Sequence, residues 1–279
     1  APEKALQAMG KLLKSRISPF VPDICISFSA APFAKVVFNN IPVLHFELGL
    51  YSRPPFPMTA YLDPLGMFCN SYFYKNKDKL INYCPTDAEI KLVSVIRELY
   101  VARIAEENPL ASLVGPLVNE FKSSILVALQ FSQFYGYDAH AKYQDQYDLL
   151  IQVLSEVPET TAVIAVEHPQ YPILTDETLG YLQKKYKNLI WLPEFRSLPS
   201  ASQSLMEFVD CVVTVSSSVG LQSMLWKKPL IVLGHSHLDT VADAHDFSNF
   251  SDLINKPWPE YKDRVLAWHV TRYTIPFEL

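Results

Sequence analysis

A chain of 279 residues is long enough for two domains of ordinary size. Hydrophobic residues make up 49% of it and charged residues 19%, which favours a well-buried globular protein over a disordered one. The net charge of −5 excludes the broad basic surface that holds a nucleic-acid backbone. An anionic small molecule is compatible with this charge, because a single pocket can be locally positive.

The cysteines carry information about compartment. All four are scattered and form neither a CxxC pair nor a zinc-type spacing with histidine: Cys25, Cys69, Cys84 and Cys211. We interpret them as reduced thiols, which predicts a cytoplasmic protein. No apolar run reaches the roughly 18–20 residues of a membrane span.

The first half of the chain mixes helices, strands and proline-rich loops. The patterns predict, in chain order, a helix over 1–20, a strand over 23–29, a helix over 31–39, a strand over 43–47, a mostly irregular segment over 48–61 and a helix over 87–107. The last helix begins with a capping box, since Thr86 is followed three positions later by Glu89. Two prolines and a glycine in 108–120 suggest a boundary there and a first domain of residues 1–118.

The second half is more regular, because short apolar runs alternate with helical patterns. The predicted strands are 124–129, 162–166, 189–192, 211–215 and 229–233, and the helices between them are 143–156, 176–187, 201–208 and 219–226. Strands that are apolar throughout are buried on both faces, so we predict a doubly wound parallel sheet in a domain of residues 119–258. A helix over 261–274, within a tail of residues 259–279, either covers this domain or crosses back to the first.

Ligands of such sheets bind outside the carboxyl ends of the strands. Polar side chains are concentrated in the segments that follow the predicted strands: 130–138, 167–169, 193–197, 216–220 and 234–239. The opposite ends of the strands are poorer in such groups. This asymmetry predicts a binding site at the carboxyl edge of the sheet.

A run of hydroxyls precedes the predicted helix over 219–226. Ser216, Ser217 and Ser218 follow a strand directly, and Gly220 comes two positions later. The start of a helix offers unpaired N–H groups and a partial positive charge, so hydroxyls and a glycine there are typical of a phosphate site. The alternative is ordinary capping of the helix, which requires one serine.

A second candidate follows the strand over 162–166. His168 is held next to Pro169, directly after Glu167. An imidazole at this place can donate a hydrogen bond to a phosphate oxygen or act as an acid toward a departing phosphate. The alternative is a surface histidine in a turn.

These residues resemble a known family. The pair His168-Pro169, the pair Ser217-Ser218 with Gly220-Leu221, and the segment 228–234 (KPLIVLG) are similar to the bacterial capsule polysaccharide synthesis family. That family includes β-Kdo transferases that use CMP-Kdo, and the two pairs recur in bacterial sialyltransferases that use CMP-sialic acid. The resemblance covers about residues 120–240 and, more weakly, 45–71.

The resemblance implies a GT-B fold, in which two Rossmann-like domains face a cleft and the second binds CMP. The short first half implies that the first domain is abbreviated, that N-terminal strands are missing, or that the chain is part of a larger multidomain protein. The residues implied in binding the CMP phosphate are His168, Pro169, Ser216, Ser217, Ser218 and Gly220. Gln222 departs from the family, which has glutamate there, but an amide also hydrogen-bonds a ribose or a base.

A CMP leaving group carries one phosphate, so amide, hydroxyl and imidazole donors suffice to stabilise it. Transferases that use nucleoside diphosphates often have an Asp-x-Asp metal site to neutralise two phosphates. Neither Asp145 with Asp148 nor Asp239 makes a convincing site of this kind. We therefore expect no metal and no cofactor beyond the CMP-sugar donor.

The catalytic carboxylates are assigned from position and resemblance. By resemblance, Asp138 supplies a carboxylate to the anomeric carbon, either as a nucleophile or as a stabilising charge, as in retaining β-Kdo enzymes. The alternatives are a solvated or helix-capping Asp138 and, as the carboxylate, Asp145. Glu47, at a strand end before Gly49, is the predicted base or acid for the acceptor hydroxyl; its alternative is a solvated strand-end acid.

Four further residues have lesser assignments. Arg53 is predicted to bind a Kdo carboxylate or an acceptor phosphate, and Gln130 to bind substrate. Asp63 is expected to hold a turn rather than to act in catalysis. His235 and His237 flank the predicted site, where a lone histidine is more often structural.

Three functions compete at this stage. The first is a retaining glycosyltransferase that moves Kdo from CMP-Kdo to a saccharide or lipid-linked saccharide in bacterial surface polysaccharide or lipopolysaccharide synthesis. The others are another enzyme of this fold, such as a sialyltransferase or a nucleotide-sugar epimerase, and a non-catalytic nucleotide-binding module. The resemblance also implies a place in the cytoplasm, at the inner face of the membrane as a peripheral protein.

Overall fold

Two β-sheets organise the chain in a computed structural model. The model describes residues 3–20, 22–28, 30–49, 58–132, 135–138, 140–168 and 171–276. Within these residues, the strands are β1 (Cys25–Phe28), β2 (Val43–Leu48), β3 (Thr59–Asp63), β4 (Ser123–Ala128), β5 (Thr161–Val166), β6 (Leu189–Ile190), β7 (Cys211–Thr214), β8 (Leu230–Val232) and β9 (Ile275–Pro276).

Helices connect and cover these strands. They are α1 (Glu3–Ile17), α2 (Pro32–Val37), α3 (Tyr72–Lys75), α4 (Lys77–Ile81), α5 (Asp87–Glu106), α6 (Ala111–Val118), α7 (Tyr135–Asp138), α8 (Gln146–Glu156), α9 (Asp176–Lys185), α10 (Glu194–Ser197), α11 (Ala201–Leu205), α12 (Val219–Gln222), α13 (Phe250–Ile254) and α14 (Glu260–Trp268). Short 3₁₀ turns occupy Phe68–Asn70, Met206–Phe208 and His237–Thr240, and a π-helical turn occupies His269–Tyr273. None of the described helices is both long and apolar enough to cross a bilayer.

The second sheet is parallel throughout, in the order β6-β5-β4-β7-β8. Its strands are apolar because both faces are covered, and every residue of β5 is buried. The first strand in sequence, β4, lies at the centre, and the chain builds outward from it on both sides. This is the strand order of a Rossmann-like domain, and it confirms the doubly wound sheet predicted from the sequence.

The first sheet is smaller and mixed, in the order β1-β2-β3-β9. The neighbours β1 and β2 are parallel and joined through α2, whereas β3 runs antiparallel to β2, and β9 antiparallel to β3. The sequence predicted an irregular segment up to residue 61, but residues 59–61 belong to β3. This strand depends on pairing with β2 and with the distant β9, so it leaves no strong local signal.

Two hydrophobic clusters underlie the sheets. The larger surrounds the second sheet and includes side chains from the 73–114 region, such as Phe73, Tyr100 and Val114. The smaller joins Ala31 and Ala34, at α2, to Val43 of β2. The domain boundaries proposed from the sequence stay a prediction, since helices before residue 118 pack into the larger cluster.

Several element boundaries differ from the sequence prediction for identifiable reasons. The segment 108–120 contains α6 despite Pro116, because the buried Val114 packs it onto the core. The helix predicted over 143–156 begins at Gln146, since the Asp145 side chain accepts a hydrogen bond from the Asp148 N–H at 2.9 Å and caps it. The helix predicted over 219–226 is a single turn followed by further turns.

The long helix α5 connects the two halves of the molecule. Its start is the predicted capping box, in which the Thr86 side chain accepts from the Glu89 N–H and the Glu89 carboxylate accepts from the Thr86 N–H. Arg97, in the middle, donates to the carbonyls of Met224 and Leu225 at 3.1 Å and pairs with Asp263 of α14 at 2.6 Å. The helix is therefore fixed to the second half by charge-assisted hydrogen bonds as well as by packing.

Candidate functional site

The order of the second sheet reverses between β4 and β7, because the chain runs from β4 through β5 to β6 on one side and then crosses back to β7 and β8 on the other. In open α/β sheets the crevice at such a switch point, at the carboxyl ends of the strands, is the usual ligand site. The segments that leave the sheet there begin with Gln130 after β4 and Ser216 after β7. The polar groups at this edge are therefore the candidates for a ligand site.

Gln130 connects the two central strands. Its side-chain oxygen accepts from the Ser216 N–H at 2.7 Å and from the Thr214 hydroxyl at 3.3 Å, and its amide nitrogen donates to the Ser216 hydroxyl at 3.0 Å. These bonds hold the start of the serine segment against the end of β4. The structure thus gives Gln130 partners within the protein, and its contact with substrate stays a prediction.

The three serines differ in their surroundings. Ser216 is buried, and its hydroxyl donates to the Gly136 carbonyl in the segment after β4. Ser217 is half-buried, and its hydroxyl oxygen accepts a hydrogen bond from the Val219 N–H at 3.3 Å. Ser218 is exposed. Among the described residues, no acceptor receives the main-chain N–H of Ser217 or Ser218. These two N–H groups and the adjacent hydroxyls form a small concentration of donors at the switch point.

Gly220 has a packing role in this structure. A Cβ there would lie 2.8 Å from the Leu238 side chain and 3.2 Å from that of Leu230, so a larger residue would push α12 off β8. Gly220 and Gln222 are both buried in α12. Their contacts with CMP, like those of Ser217 and Ser218, stay a prediction.

His168 follows β5 at the same edge. Neighbouring strands lie about 4.8 Å apart, so the ends of β5 and β7, with β4 between them, are separated by roughly 10 Å. The half-buried imidazole lies 5.4 Å from the ring of Tyr171, which stacks on Phe131 at 4.1 Å. This aromatic layer joins the segments after β4 and β5. Pro169 lies outside the described residues.

Glu167 fixes the segment that carries His168. Its buried carboxylate accepts from the N–H groups of Ile173 and Leu174 at 2.8 Å and pairs with Arg196 at 2.6 Å. The Arg196 guanidinium also lies 4.8 Å from the Trp191 ring. The Arg196 charge is thus satisfied by Glu167, which leaves the neighbouring cavity beside α9 without an unpaired cation.

Asp138 is the last residue of α7, in the segment between β4 and α8, and its side chain is exposed. Gly136, two residues earlier, is the acceptor of the Ser216 hydroxyl. The structure therefore brings Asp138 near the serine segment at one edge of the sheet. Asp145, the alternative carboxylate, is occupied as the cap of α8.

The segment after β8 is tied to the same edge. Gly234 has φ 154°, and a Cβ there would collide with the carbonyl oxygen of His140. The His235 N–H donates to that carbonyl at 3.0 Å, and the Ser236 hydroxyl donates to the Val215 carbonyl at 2.8 Å. These contacts join the segments after β4, β7 and β8 into one surface.

A segment of the first half, residues 68–74, docks on this surface, which the sequence did not predict. The Cys69 sulfur lies 3.6 Å from His140 Nδ1, and the Tyr74 hydroxyl lies 2.8 Å from His235 Nε2. On its other nitrogen, His235 pairs with Asp239. Phe68, with φ 52°, places its ring 5.3 Å from the His140 ring. A non-glycine residue in this conformation is strained and is held there by its surroundings.

Two histidines, the half-buried His237 and the buried His269, line this junction. Burial lowers the pKa of His237 to about 3, with a smaller effect from the imidazoles of His140 and His269, and burial lowers the pKa of His269 to about 4. Both are therefore neutral at physiological pH. The structural assignment made for His237 from the sequence fits this environment, whereas the exposed His235 takes part in the Tyr74–His235–Asp239 contacts.

Glu47 lies in the first sheet, opposite Tyr61 of β3. One of its carboxylate oxygens accepts from the Leu48 N–H at 3.0 Å. Burial first, and then the charges of Glu47 and Asp63, raise the pKa of Tyr61, whose ring stacks on Tyr273 at 4.8 Å. Arg53 lies outside the described residues.

Asp63 holds a turn, as the sequence predicted. Its carboxylate accepts from the N–H groups of Leu65 at 2.7 Å, Gly66 at 3.0 Å and Tyr72, and from the Tyr273 hydroxyl. In the described part of the chain, no group of three or more His, Cys, Asp or Glu side chains has the arrangement of a metal site.

The model of a protein family, described as capsule polysaccharide biosynthesis protein, matches residues 39–245. This span includes β2, β3 and the whole second sheet, and so the greater part of the chain. The chain belongs to this family. The motifs quoted from the sequence, the histidine after β5 and the serines after β7, lie within the matched span.

Solved structures agree with the fold of this capsule-synthesis family member. KpsC from Thermosulfurimonas dismutans, a beta Kdo 2,7 transferase, superposes with a TM-score of 0.59 at 18% identity, over 96% of this chain and 83% of that one. The beta Kdo 2,4 transferase of KpsC from the same organism gives a TM-score of 0.51 at 14% identity, over 87% and 78%. The sequence has no significant match among curated proteins. The fold is thus α/β and of the GT-B type.

Proposed function

We propose that this family member is a glycosyltransferase that transfers a sugar, Kdo in the first instance, from a CMP-sugar to a saccharide acceptor in bacterial surface polysaccharide synthesis. The observation that carries the proposal is the pair of open N–H groups at Ser217 and Ser218, at the switch point of a Rossmann-like sheet. Donors fixed in this way bind a phosphate without reorganising. The CMP preference derives from the resemblance in the serine and histidine pairs.

In this proposal the phosphate lies between the β5 and β7 edges. Ser217 and Ser218 donate from the main chain and the hydroxyls, and His168 donates from the opposite side across roughly 10 Å, a gap that a phosphate with its sugar fills. The three groups neutralise the charge that develops as the bond from the anomeric carbon to the CMP oxygen breaks. Gln130 positions the serine segment, because its side chain accepts a hydrogen bond from the Ser216 N–H.

The carboxylates divide the remaining chemistry. Asp138 provides its carboxylate to the anomeric carbon, either by forming a glycosyl adduct, which leads to retention through two displacements, or by stabilising the positive charge that develops there. Glu47 accepts the proton of the acceptor hydroxyl as the new glycosidic bond forms. Arg53, if it faces the cleft, binds an acidic group of a substrate.

The alternative function predicted from the sequence is that of an enzyme that uses a different CMP-sugar, such as a sialyltransferase. The phosphate site would be the same, so only the sugar distinguishes the two. The proposal also includes a cytoplasmic location, supported by four cysteines that are all free in the structure, and an acceptor that is a saccharide or a lipid-linked saccharide at the inner face of the membrane.

Thermal unfolding with a panel of nucleotides tests the donor. We expect CMP to raise the Tm more than UDP, GDP or CDP at equal concentration, because the site fits one phosphate. Ser217→Ala combined with His168→Ala should remove most of this shift, whereas Ser155→Ala, on the exposed face of α8, should retain it. Equal shifts with all four nucleotides would contradict CMP selectivity, and no shift with any would contradict the donor site.

Substitution of Glu47 separates binding from chemistry. Glu47→Gln keeps the side-chain volume but removes the base, so transfer from CMP-Kdo should fall by roughly 100-fold or more while the CMP-induced Tm shift is unchanged. Transfer is measured by CMP release with and without acceptor. If Glu47→Gln transfers at the normal rate, Glu47 is not the base.

A further inference from the structure

A cavity of about 370 Å³ lies between α2 and the segment that follows β3. Lys35 of α2, His45 of β2, Gly66, Met67 and Asn70 line it, together with Lys75 at the end of α3. This volume is within the range of small-molecule sites and suits a single sugar unit. None of the residues assigned to the donor or to catalysis lines it.

The charges of the cavity are of one sign. Lys35 and Lys75 carry the formal positive charges of the lining, and no Asp or Glu is among its described lining residues. The Lys35 ammonium donates to the carbonyls of Pro64, at 3.1 Å, and Leu65, which fixes its position and leaves one of its three donors for a ligand. Asp63 begins this turn, but its carboxylate is already committed to the turn and to Tyr273. In a protein of net charge −5, this is a locally positive cavity.

The cavity is adjacent to the junction with the second sheet. Phe68 follows the lining residue Met67 directly, and its ring packs 5.3 Å from His140 and 5.5 Å from His237. Burial raises the pKa of Cys69, and the charge of Asp239 raises it further while that of Lys75 lowers it, so both charges lie close to this thiol. The cavity in the first half is therefore adjacent, through residues 67–69, to the segments after β4 and β8.

We propose that this cavity binds a carboxylate or phosphate group of the acceptor saccharide, with Lys35 and Lys75 neutralising its charge and Asn70 hydrogen-bonding it. The assignment to the acceptor rests on the proposed glycosyltransferase function, whereas the anion site itself rests on the cavity. Lys35 is partly structural, so the test uses Lys75, which is exposed.

Methionine methyl groups provide a local probe. The chain has five methionines; Met67 lines the cavity, whereas Met206 and Met224 are buried in the larger core and serve as internal references. We would titrate the ¹³C-methyl-methionine protein with glucuronate, glucose 6-phosphate and glucose. The Met67 signal, identified by Met67→Leu, should shift with one or both anions and not with glucose. A shift with glucuronate alone indicates a carboxylate site, and a shift with glucose 6-phosphate alone indicates a phosphate site.

A matched lysine pair completes the test. Lys75 and Lys77 both lie over the Tyr74 ring, at 5.8 and 5.9 Å, but only Lys75 lines the cavity. Lys75→Gln should weaken anion binding roughly tenfold, through loss of one charge-assisted contact, and Lys77→Gln by less than about twofold. Equal effects of the two variants, an equal response to glucose, or a silent Met67 would overturn the anion site.

The same samples separate this inference from the proposed function. CMP is titrated in parallel and followed by the Tm. If CMP binds and transfer proceeds while Met67 gives no response to either anion, the cavity proposal fails and the glycosyltransferase stands. If Met67 responds to an anion but CMP does not bind, the assignment to an acceptor is overturned together with the proposed function.

Discussion

At the scale of single residues, the three adjacent serines after β7 have different roles. Ser216 is turned inward and is held by Gln130 and by the Gly136 carbonyl, whereas Ser217 and Ser218 remain at the surface with open N–H groups. The buried serine and Gln130 fix the geometry, and the outer pair is free to contact a ligand. A preorganised anion site requires both functions.

Replacement of Gln130 tests this division. Gln130→Met keeps the approximate volume but leaves the Ser216 N–H buried without an acceptor, so we expect a loss of about 1–3 kcal/mol in the free energy of unfolding. Urea denaturation measures this, and Gln7→Met, on the exposed face of α1, is the control. An unchanged stability together with a raised KM would instead identify Gln130 as a substrate-binding residue.

At the scale of elements, the segments that leave β4, β7 and β8 are connected to one another by hydrogen bonds. Gly234 is one of these contacts: its φ is 154°, and its main chain passes so near the His140 carbonyl that a Cβ would collide with it. The bond from the His235 N–H to that carbonyl depends on this approach. The rim of the site thus behaves as one unit.

Two glycine-to-alanine variants with opposite expected signs test this point. Gly234→Ala forces a side chain into a conformation that L residues rarely adopt and against backbone, so it should destabilise the fold by about 2 kcal/mol or more and weaken CMP binding. Gly180→Ala, in the middle of α9 with open space around it, should stabilise by about 0.5–1 kcal/mol. Thermal unfolding of both, with and without CMP, gives the comparison. A neutral Gly234→Ala would mean that the rim tolerates displacement.

At the scale of the molecule, the end of the chain returns to the first sheet. After α14 packs beside α5, the strand β9 pairs with β3, and Tyr273 stacks on Tyr61 and donates to Asp63. His237 and His269 lie where this return meets the 68–74 segment, since both contact the ring of Phe73. The two sheets are thus joined through groups that are sensitive to acid.

The junction should therefore weaken as the pH falls. The folded pKa values of His237 and His269, about 3 and 4, lie below the unfolded value near 6.5, so the unfolded state binds more protons in this range. The stability that depends on these two neutral imidazoles is fully present above pH 6.5 and is lost as the pH falls toward 4. Over this range the free energy of unfolding decreases by about 1.4 kcal/mol per pH unit for each group.

Urea midpoints at pH 7, 6, 5 and 4.5 measure this slope. His237→Leu should reduce it by about one proton, whereas Ser155→Ala, at an exposed position without a titrating group, should leave it unchanged. If the stability of His237→Leu depends on pH with the same slope as that of the wild type, the imidazole of His237 is not neutral in the folded state.

The sequence by itself determined the second sheet and the location of polar groups at its edge. Strands such as β5 are apolar at every position, and this pattern is local, so it identifies a parallel sheet covered on both faces without any knowledge of its neighbours. The capping box of α5 and the turn at Asp63 are local in the same sense. The family resemblance also depended on short contiguous motifs, His168-Pro169 and Ser217-Ser218.

Only the tertiary structure decided which of those polar groups are available and what faces them. The bonds that occupy Ser216, the docking of Cys69 and Tyr74 on the second sheet, and the pairing of β3 with β9 each join residues far apart in the chain. Such contacts depend on where the folded chain places its segments, and they impose no periodicity on the sequence. Local patterns therefore identify the sheet and its edge, while long-range packing determines the shape of the site.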